Sequence, residues 1–429
     1  MRTPELLELT TNDALQARLE RVVQGRRYRQ VKVGLLCEGR MATATLVDSA
    51  EVIRNADASM WMPTGCMTKL FTSALVLQFV RRGHLRLDED AGERLKESCP
   101  AVASRLAGIT VTHLLEHAHG LDDSGLRETS LLDDGRIDVG LLAEKMTSTP
   151  PLCAPGTLYS YDHIGAILLA AILEHVSGRT WYSLLQEELF APLGMEHRLL
   201  SAQGAASGYL RVCPSRGYDL AVRVEGMLAF IEKHARETFQ EDASMTKLPG
   251  WHSTETGTRF GWKCYEGGWI GHNSEPPAAA AVVRVHPRER IAIVVETGAD
   301  SPAPLVVAMF GRLLPELVRI RFPPLLNASA CAGLDAGRYV GQFENEVLRI
   351  VITRSTDAVL ELRAHRRRNN DVEHSPFVVT PLRPAQDGIF YLLPDSAHLA
   401  PFVQFIGDTG REFRFLWNGQ SVWRNVIPS

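Results

Sequence analysis

The sequence predicts an α/β domain whose sheet is split along the chain by a helical insertion, followed by a small antiparallel β-barrel. Three observations predict it. Residues 31–46 alternate in hydrophobicity around Glu38-Gly39-Arg40, the signal of an early hairpin. Two further apolar strands, at 278–285 and 291–296, come only after a long helical stretch. Beyond a proline-rich break, short strands recur with no helix between them.

Residues 13–24 have the spacing of a short amphipathic helix ahead of the hairpin. A second helix starts near Cys66, runs through Leu70-Phe71-Thr72-Ser73-Ala74-Leu75-Val76-Leu77 and stops at Gly83. Residues 84–205 form the helical, loop-rich insertion. His286-Pro287-Arg288-Glu289 supplies the turn between the two later strands, and a last helix covers 304–319. Arg321-Phe322-Pro323-Pro324 through Cys331-Ala332-Gly333 reads as a linker. Strands follow at 338–343, 348–353, 359–364, 377–382, 389–393, 402–405, 412–417 and 421–426. The expected units are a domain over 1–322, a linker over 323–332 and a barrel over 333–429. The basic run His365-Arg366-Arg367-Arg368 falls between two of these strands. It reads as a solvated hairpin tip, with contact to phosphate on a carrier or cofactor arm as the sharper alternative.

The chain has 429 residues, more than one ordinary core accommodates. With 45% hydrophobic and 22% charged residues and a net charge of −4, it has no general electrostatic pull toward nucleic acid or anionic membrane. No run of about 18 apolar residues could span a bilayer, and the first residues lack the apolar core of a signal peptide. Seven cysteines without paired C-x-x-C spacing indicate neither a disulfide framework nor a zinc site. A cytoplasmic protein with free thiols is expected, needing no metal or cofactor.

The chemistry concentrates at Cys66-Met67-Thr68-Lys69. The same motif with serine first, S-x-x-K, marks the nucleophile of β-lactamases and penicillin-binding proteins. Residues three apart share a helix face, so Lys69 can reach toward the sulfur of Cys66. A thiol of ordinary pKa about 8.5 at a helix start beside a cation is favoured as the thiolate. The bland alternative is an inert buried cysteine.

Further segments fall in order behind this motif. Thr110-Val111-Thr112-His113-Leu114-Leu115-Glu116-His117-Ala118-His119-Gly120-Leu121 resembles "I-T-I-R-H-L-L-T-H-T-S-G-L". Pro155-Gly156-Thr157 with Tyr161-Asp162-His163-Ile164-Gly165 resembles "P-G-t … Y-S-N-x-G", and Phe190-Ala191-Pro192-Leu193-Gly194-Met195 resembles "i-f-x-P-L-G-M". Gly271-His272-Asn273-Ser274 resembles "G-H-t-G", and Tyr339-Val340-Gly341-Gln342-Phe343 resembles the start of an appended small barrel. Together they resemble the serine β-lactamase-like and penicillin-binding-protein-like family, in its branch of class C β-lactamases, D-amino peptidases, carboxylesterases and fungal acyltransferases.

That resemblance implies an antiparallel sheet flanked by helices and carrying the helical insertion, plus a lipocalin-like barrel. It implies a catalytic set of Cys66, Lys69 and Tyr161, with Tyr161 and Lys69 moving protons. It implies substrate contacts from His163, His272, Asn273 and Ser274, on an edge strand facing the nucleophile. An oxyanion hole would use the backbone N–H groups of Cys66 and Glu275. This sequence departs from the pattern in having cysteine for serine at 66, histidine for asparagine at 163 and serine for glycine at 274. The last two suggest a specialised pocket rather than β-lactam or D-peptide recognition.

Two decoys occur. Ser244-Met245-Thr246-Lys247 is a literal S-x-x-K, but Leu248-Pro249-Gly250 would end a helix there. His113-Leu114-Leu115-Glu116-His117 matches a zinc-protease pattern, inside a segment whose family counterpart already carries histidines.

The leading reading is acyl transfer through an acyl-thioenzyme, by a biosynthetic acyltransferase or thioesterase. The donor would be a thioester, ester or amide of a small metabolite, with an acyl carrier protein or coenzyme A as its expected carrier. Hydrolysis to water is one alternative. A cyclase or isomerase of natural-product biosynthesis is another, and a non-catalytic ligand-binding relative a third. Residues 122–150 and 201–257 are expected to shape the pocket.

Overall fold

The computed structural model describes residues 7–25, 28–48, 61–122, 135–199, 214, 217–239, 255–274, 279–298, 334–345, 347–355, 360–368, 371–384, 389–392, 402–408, 413–417 and 422–425. The helix expected over 304–319, the linker over 323–332 and the Ser244 motif lie outside these residues.

The first sheet is built from both ends of its domain. Helix α1 (Asn12–Val23) precedes the hairpin β1 (Gln30–Cys37) and β2 (Arg40–Val47), whose turn places Glu38 and Gly39 at φ 49° and 80°. Positive φ at both turn residues gives a twist that suits a two-residue hairpin. The remaining strands are β6 (Glu255–Arg259), β7 (Trp262–Tyr265), β8 (Ile270–Ser274), β9 (Ala279–His286) and β10 (Ile291–Gly298). Their order is β2-β1-β10-β9-β8-β7-β6, antiparallel at every step. A separate small sheet joins β3 (Met62–Gly65), β4 (His197–Leu199) and β5 (Gly217–Val222) in the order β3-β5-β4.

Alternation along β1 divides the core. Val31, Val33, Leu35 and Cys37 pack with Leu15, Leu19, Val22 and Val23 of α1 on one face. Asn12 Oδ1 and Gln16 Oε1 of α1 also accept the backbone N–H groups of Thr43 (2.9 Å) and Thr45 (3.2 Å) in β2. Leu36, with Val294 of β10, joins the larger core on the other face. A Cβ at Gly34 would come within 2.4 Å of Val224 Cγ1, so glycine lets the helix starting there lie directly on β1. Buried Lys32 donates to Glu296 Oε2 at 2.8 Å and to the Trp61 carbonyl at 2.9 Å, tying the sheet to the entry of β3.

The helices of the larger core are α2 (Thr68–Arg81), α3 (Pro100–Arg105), α4 (Val111–Leu115), α5 (Val139–Ser148), α6 (Ile164–Ser177), α7 (Trp181–Leu184, continuing as a π-helical turn over Leu185–Phe190) and α8 (Val224–Thr238). Every residue of α2 from Thr68 to Leu77 is buried. Such an all-round apolar helix is a core element rather than an amphipathic one. Phe71 meets Phe190 and Phe230 edge-on at 5.4 and 4.6 Å, linking α2 to the π turn and α8.

Residues 334–425 contain a second sheet with its own core around Phe343, Ile352, Leu362, Phe390 and Phe405. Its strands are β11 (Gly341–Glu344), β12 (Leu348–Arg354), β13 (Leu360–Arg368), β14 (Asp371–Val372), β15 (Val378–Pro384), β16 (Ile389–Leu392), β17 (Phe402–Asp408), β18 (Phe413–Trp417) and β19 (Val422–Asn425). Antiparallel pairings run from β11 through β12, β13, β15, β16, β17 and β18 to β19, which pairs back to β11. The curled sheet is the expected small barrel. The basic run is not a hairpin tip, because β13 extends through Arg368. Leu360, Leu362 and Ala364 alternate inward, but that period stops at the charges, where Arg366 is exposed and His365 and Arg367 are half-buried. Arg366 stacks over Phe377 and Arg367 donates to the Asn345 carbonyl.

Candidate active site

The turn between β3 and α2 presents the nucleophile. Gly65, at φ 49°, reverses the chain, and Thr68 Oγ1 donates back to the Gly65 carbonyl at 2.7 Å. The helix proper begins at Thr68, so Cys66 sits in the turn just ahead of it rather than inside the first turn. Lys69 N–H bonds the Cys66 carbonyl at 3.2 Å. The Cys66 N–H points across to β8, where Ser274 Oγ accepts it at 3.1 Å.

Lys69 is buried, and its Nζ donates to Tyr161 Oη at 2.7 Å and meets His163 Nδ1 at 3.1 Å. The ammonium also lies 4.4 Å from the Tyr161 ring centre. Tyr161 also lies close enough to Cys66 to be influenced by its sulfur. Burial first, and then the neighbouring Cys66, pushes the Tyr161 hydroxyl well above the usual phenol range. The phenol is therefore neutral. Tyr161 thus neighbours both the lysine and the Cys66 side chain.

A buried carboxylate positions that phenol. Asp162 accepts from His117 Nδ1 at 2.6 Å, from the Gly165 N–H at 2.7 Å, and faces His119 Nε2 at 2.9 Å. Burial raises its pKa, but His119 and His117 outweigh that and hold it well below the usual carboxylate range. His117, at φ 54°, occupies a conformation few non-glycine residues adopt. Its ring lies 4.9 Å from that of Tyr161. The Leu121 N–H bonds His119 Nδ1 at 3.0 Å, which directs Nε2–H toward Asp162. Gly165 permits this closure, since a Cβ there would meet the Leu114 carbonyl at 2.9 Å. His117, His119 and Asp162 were not among the sequence candidates. The motif containing the two histidines was visible, but their convergence on Asp162 arises only in three dimensions.

Across from Tyr161, β8 contributes His272, Asn273 and Ser274. β7 pairs only Ile270 and Gly271 of this strand, whereas β9 pairs all of Ile270–Ser274. The strand is internal to the sheet at one end and meets the site along the other. His272 is buried with its ring 6.1 Å from Tyr161, and Nδ1–H bonds the Asn273 carbonyl at 2.7 Å. Burial, followed by the Lys69 and Lys263 cations, pushes its pKa well below the imidazole range, so it is neutral. Asn273 Oδ1 accepts from Arg284 Nη1 at 2.8 Å. Lys263, from β7, lies 5.9 Å from the Tyr161 ring and was another unforeseen neighbour. Glu275, the second expected oxyanion donor, lies outside the described residues.

The zinc-like pattern is dispersed by its own contacts. His113 Nδ1 accepts the Thr110 N–H in a capping box. Glu116 Oε1 accepts the Phe260 N–H at 2.6 Å, while Ser73 Oγ donates to the Phe260 carbonyl at 2.7 Å. These two bonds hold the β6–β7 turn, where Phe260 has φ 47°, against α2 and α4. Burial pushes the Glu116 carboxyl up to about 7.

Cys66, Lys69, Tyr161, His163, His272 and Ser274 thus converge from three separate segments. A thiol beside a neutral phenol, with a lysine hydrogen-bonded to that phenol, forms an arrangement suited to covalent acyl transfer.

The profile of the family described as Beta-lactamase matches residues 21–314. Penicillin-binding protein 4 of Amycolatopsis lactamdurans is 24% identical over 325 residues, covering 66% of this chain and 84% of its own. Unguisins hydrolase ungD of Aspergillus violaceofuscus is 26% identical over 149 residues, 34% of this chain and 26% of that protein. Among solved structures, SurE with D-Leu superposes with a TM-score of 0.73 at 22% identity, covering 97% of this chain and 99% of the other. Among the described residues, no helix is long and apolar enough to cross a membrane.

Proposed function

Because the chain belongs to the β-lactamase family, whose members perform acyl-transfer or hydrolase chemistry, we propose that it is an acyl-transfer enzyme with Cys66 as nucleophile. The observation that carries the proposal is the Lys69–Tyr161 hydrogen bond set beside Cys66. Cys66 attacks the carbonyl of an ester, amide or thioester, the C–S bond forms, and the leaving group departs with a proton from Tyr161 or Lys69. The acyl group then passes to an acceptor, whose proton returns to the same pair as the thiolate leaves.

A thiol suits thioester donors, because thiol–thioester exchange is nearly balanced in free energy and the acyl-thioenzyme stays activated. Small-metabolite thioesters on an acyl carrier protein or coenzyme A are the donors proposed. Cys37, Cys66 and Cys99 are free thiols, which supports a reducing compartment such as the cytoplasm. Hydrolysis is the second reading, favoured by the named hydrolase among the relatives.

Intact-mass spectrometry after incubation with thioester and ester panels tests the proposal. D-Leucyl thioesters belong in the panel, given the amino acid held by SurE. A gain of one acyl group, absent in Cys66→Ala, is expected. No adduct with any donor, alongside turnover unaffected by Cys66→Ala, would overturn it.

A further inference from the structure

We infer that His163 is a proton store for the site, exchanging a proton with Lys69 through Nδ1, and so sets when Lys69 is a base. The observation is geometric: Lys69 Nζ stands 3.1 Å from His163 Nδ1 while also 2.7 Å from Tyr161 Oη. For Nδ1 to receive the ammonium hydrogen, the imidazole is neutral and carries its proton on Nε2. Moving one proton from Nζ to Nδ1 leaves a neutral amine and an imidazolium. That step creates no new buried charge. It shifts an existing one by about the length of a hydrogen bond, which avoids the desolvation cost of forming an ion in the interior.

The neutral Lys69 amine can then take the proton that the thiol, and later the acceptor, releases through Tyr161. When the leaving group departs, the proton goes back along the same route. No oxidant, reductant or further reactant is needed. An asparagine here, as in the family pattern, offers Lys69 an acceptor oxygen but cannot hold a proton. His163 works through Lys69 and not on the substrate, so it is a positioning residue whose own titration matters.

The surrounding groups leave that titration distinguishable. Lys69 reaches it from α2, with Cys66 in the preceding turn. Tyr161 and Asp162 precede it in the chain, and His117 and His119 lie behind Asp162. His272 of β8 and Lys263 of β7 face the tyrosine from the sheet. Tyr161 is pushed up, while Asp162, His117 and His272 are pushed down, away from the ordinary imidazole range. His163 sits at the N-cap of α6 and makes no side-chain cap bond there. Replacing it therefore removes no helix cap.

The test is alkylation of Cys66 by iodoacetamide across pH 5–10, read by peptide mass mapping, in wild type, His163→Asn and His163→Gln. Alkylation follows the thiolate and needs no substrate. This readout therefore stands apart from the acyl-transfer reading on which the inference rests. The wild type should show two ionisations, one in the histidine range, and both variants only the higher one. Acylation by acetyl-N-acetylcysteamine should fall at least tenfold in both variants. A single ionisation in the wild type overturns the inference, as does an asparagine variant that keeps both ionisations, whatever its rate. Acylation missing from the wild type, with the two-ionisation profile present, would count against the acyl-transfer reading alone.

Discussion

Ser274 Oγ lies 3.1 Å from the Cys66 backbone nitrogen and accepts its hydrogen. On the acyl-transfer proposal that N–H would donate to the developing oxyanion, so the Ser274 hydroxyl holds the donor that the substrate oxygen would use. Displacing it means breaking one neutral hydrogen bond, about 1 kcal/mol. Ser274→Ala should therefore raise Cys66 acylation by a small activated ester such as p-nitrophenyl acetate about fivefold. Stopped-flow release of nitrophenol measures it. A slower variant would mean that the hydroxyl itself donates to the oxyanion.

Tyr161→Phe removes the hydroxyl that Lys69 donates to beside Cys66, and Lys69→Ala removes the cation behind it. Each should lower acylation by about 10² or more. Circular dichroism melting would separate this from unfolding. Near wild-type single-turnover acylation in either variant would remove that residue from the mechanism.

Cys66→Ser keeps a nucleophile in place but shortens its reach. Lys69 and Tyr161 would also have to deprotonate an alcohol instead of supporting a thiolate. The serine variant should be about 10² slower on thioester donors, the cost expected of an ångström-scale misplacement. Parity with wild type on the same donor would make the thiol incidental.

Glu116 links the fold to pH. Its folded pKa of about 7 lies above the ordinary 4.5, so the folded state retains a proton that the unfolded state loses between these values. Its contribution is complete below pH 4.5 and declines as pH rises to 7, by about 3 kcal/mol at most. His234, pushed down to about 3 by burial, acts in the opposite sense, lowering stability as pH falls below about 6.5. Glu116→Gln should therefore gain stability relative to wild type as pH rises from 4.5 to 7, in urea titrations at each pH. Parallel curves for the two proteins would show the carboxyl to be ionised at no cost.

The parts of the fold legible in the sequence were those with an uninterrupted period. β1, β2, β9 and β10 alternate or run apolar over eight residues each, and Glu38-Gly39 marks its own turn. β3 has four residues including Pro63, too short and too atypical to register. The β6–β7 hairpin was missed because its turn is Phe260-Gly261, and an aromatic in the left-handed region is not a turn signal. In β13 the charges of His365 to Arg367 drew attention to solvent, although the strand pairing continues through them. The site divides in the same way. Cys66, Lys69, Tyr161, His163 and Ser274 stand in contiguous motifs. The clamp of His117 and His119 on Asp162 joins residues more than 40 apart in sequence and depends on Gly165 letting α6 approach α4.

The side chains of α1 that receive Thr43 N–H and Thr45 N–H also bear on how the molecule avoids self-association. β2 ends its sheet, and an outermost strand with open amide groups is a template for another chain. Asn12 and Gln16 occupy two of those amides from within the same chain, while the ring of the second sheet leaves its principal strands paired on both sides. Replacing both residues with alanine would free the two donors without touching the buried face of α1. The outcome to look for is concentration-dependent dimers or larger species in light scattering, with the catalytic residues unchanged. In that sense the first helix works as a guard against strand addition as much as a part of the core.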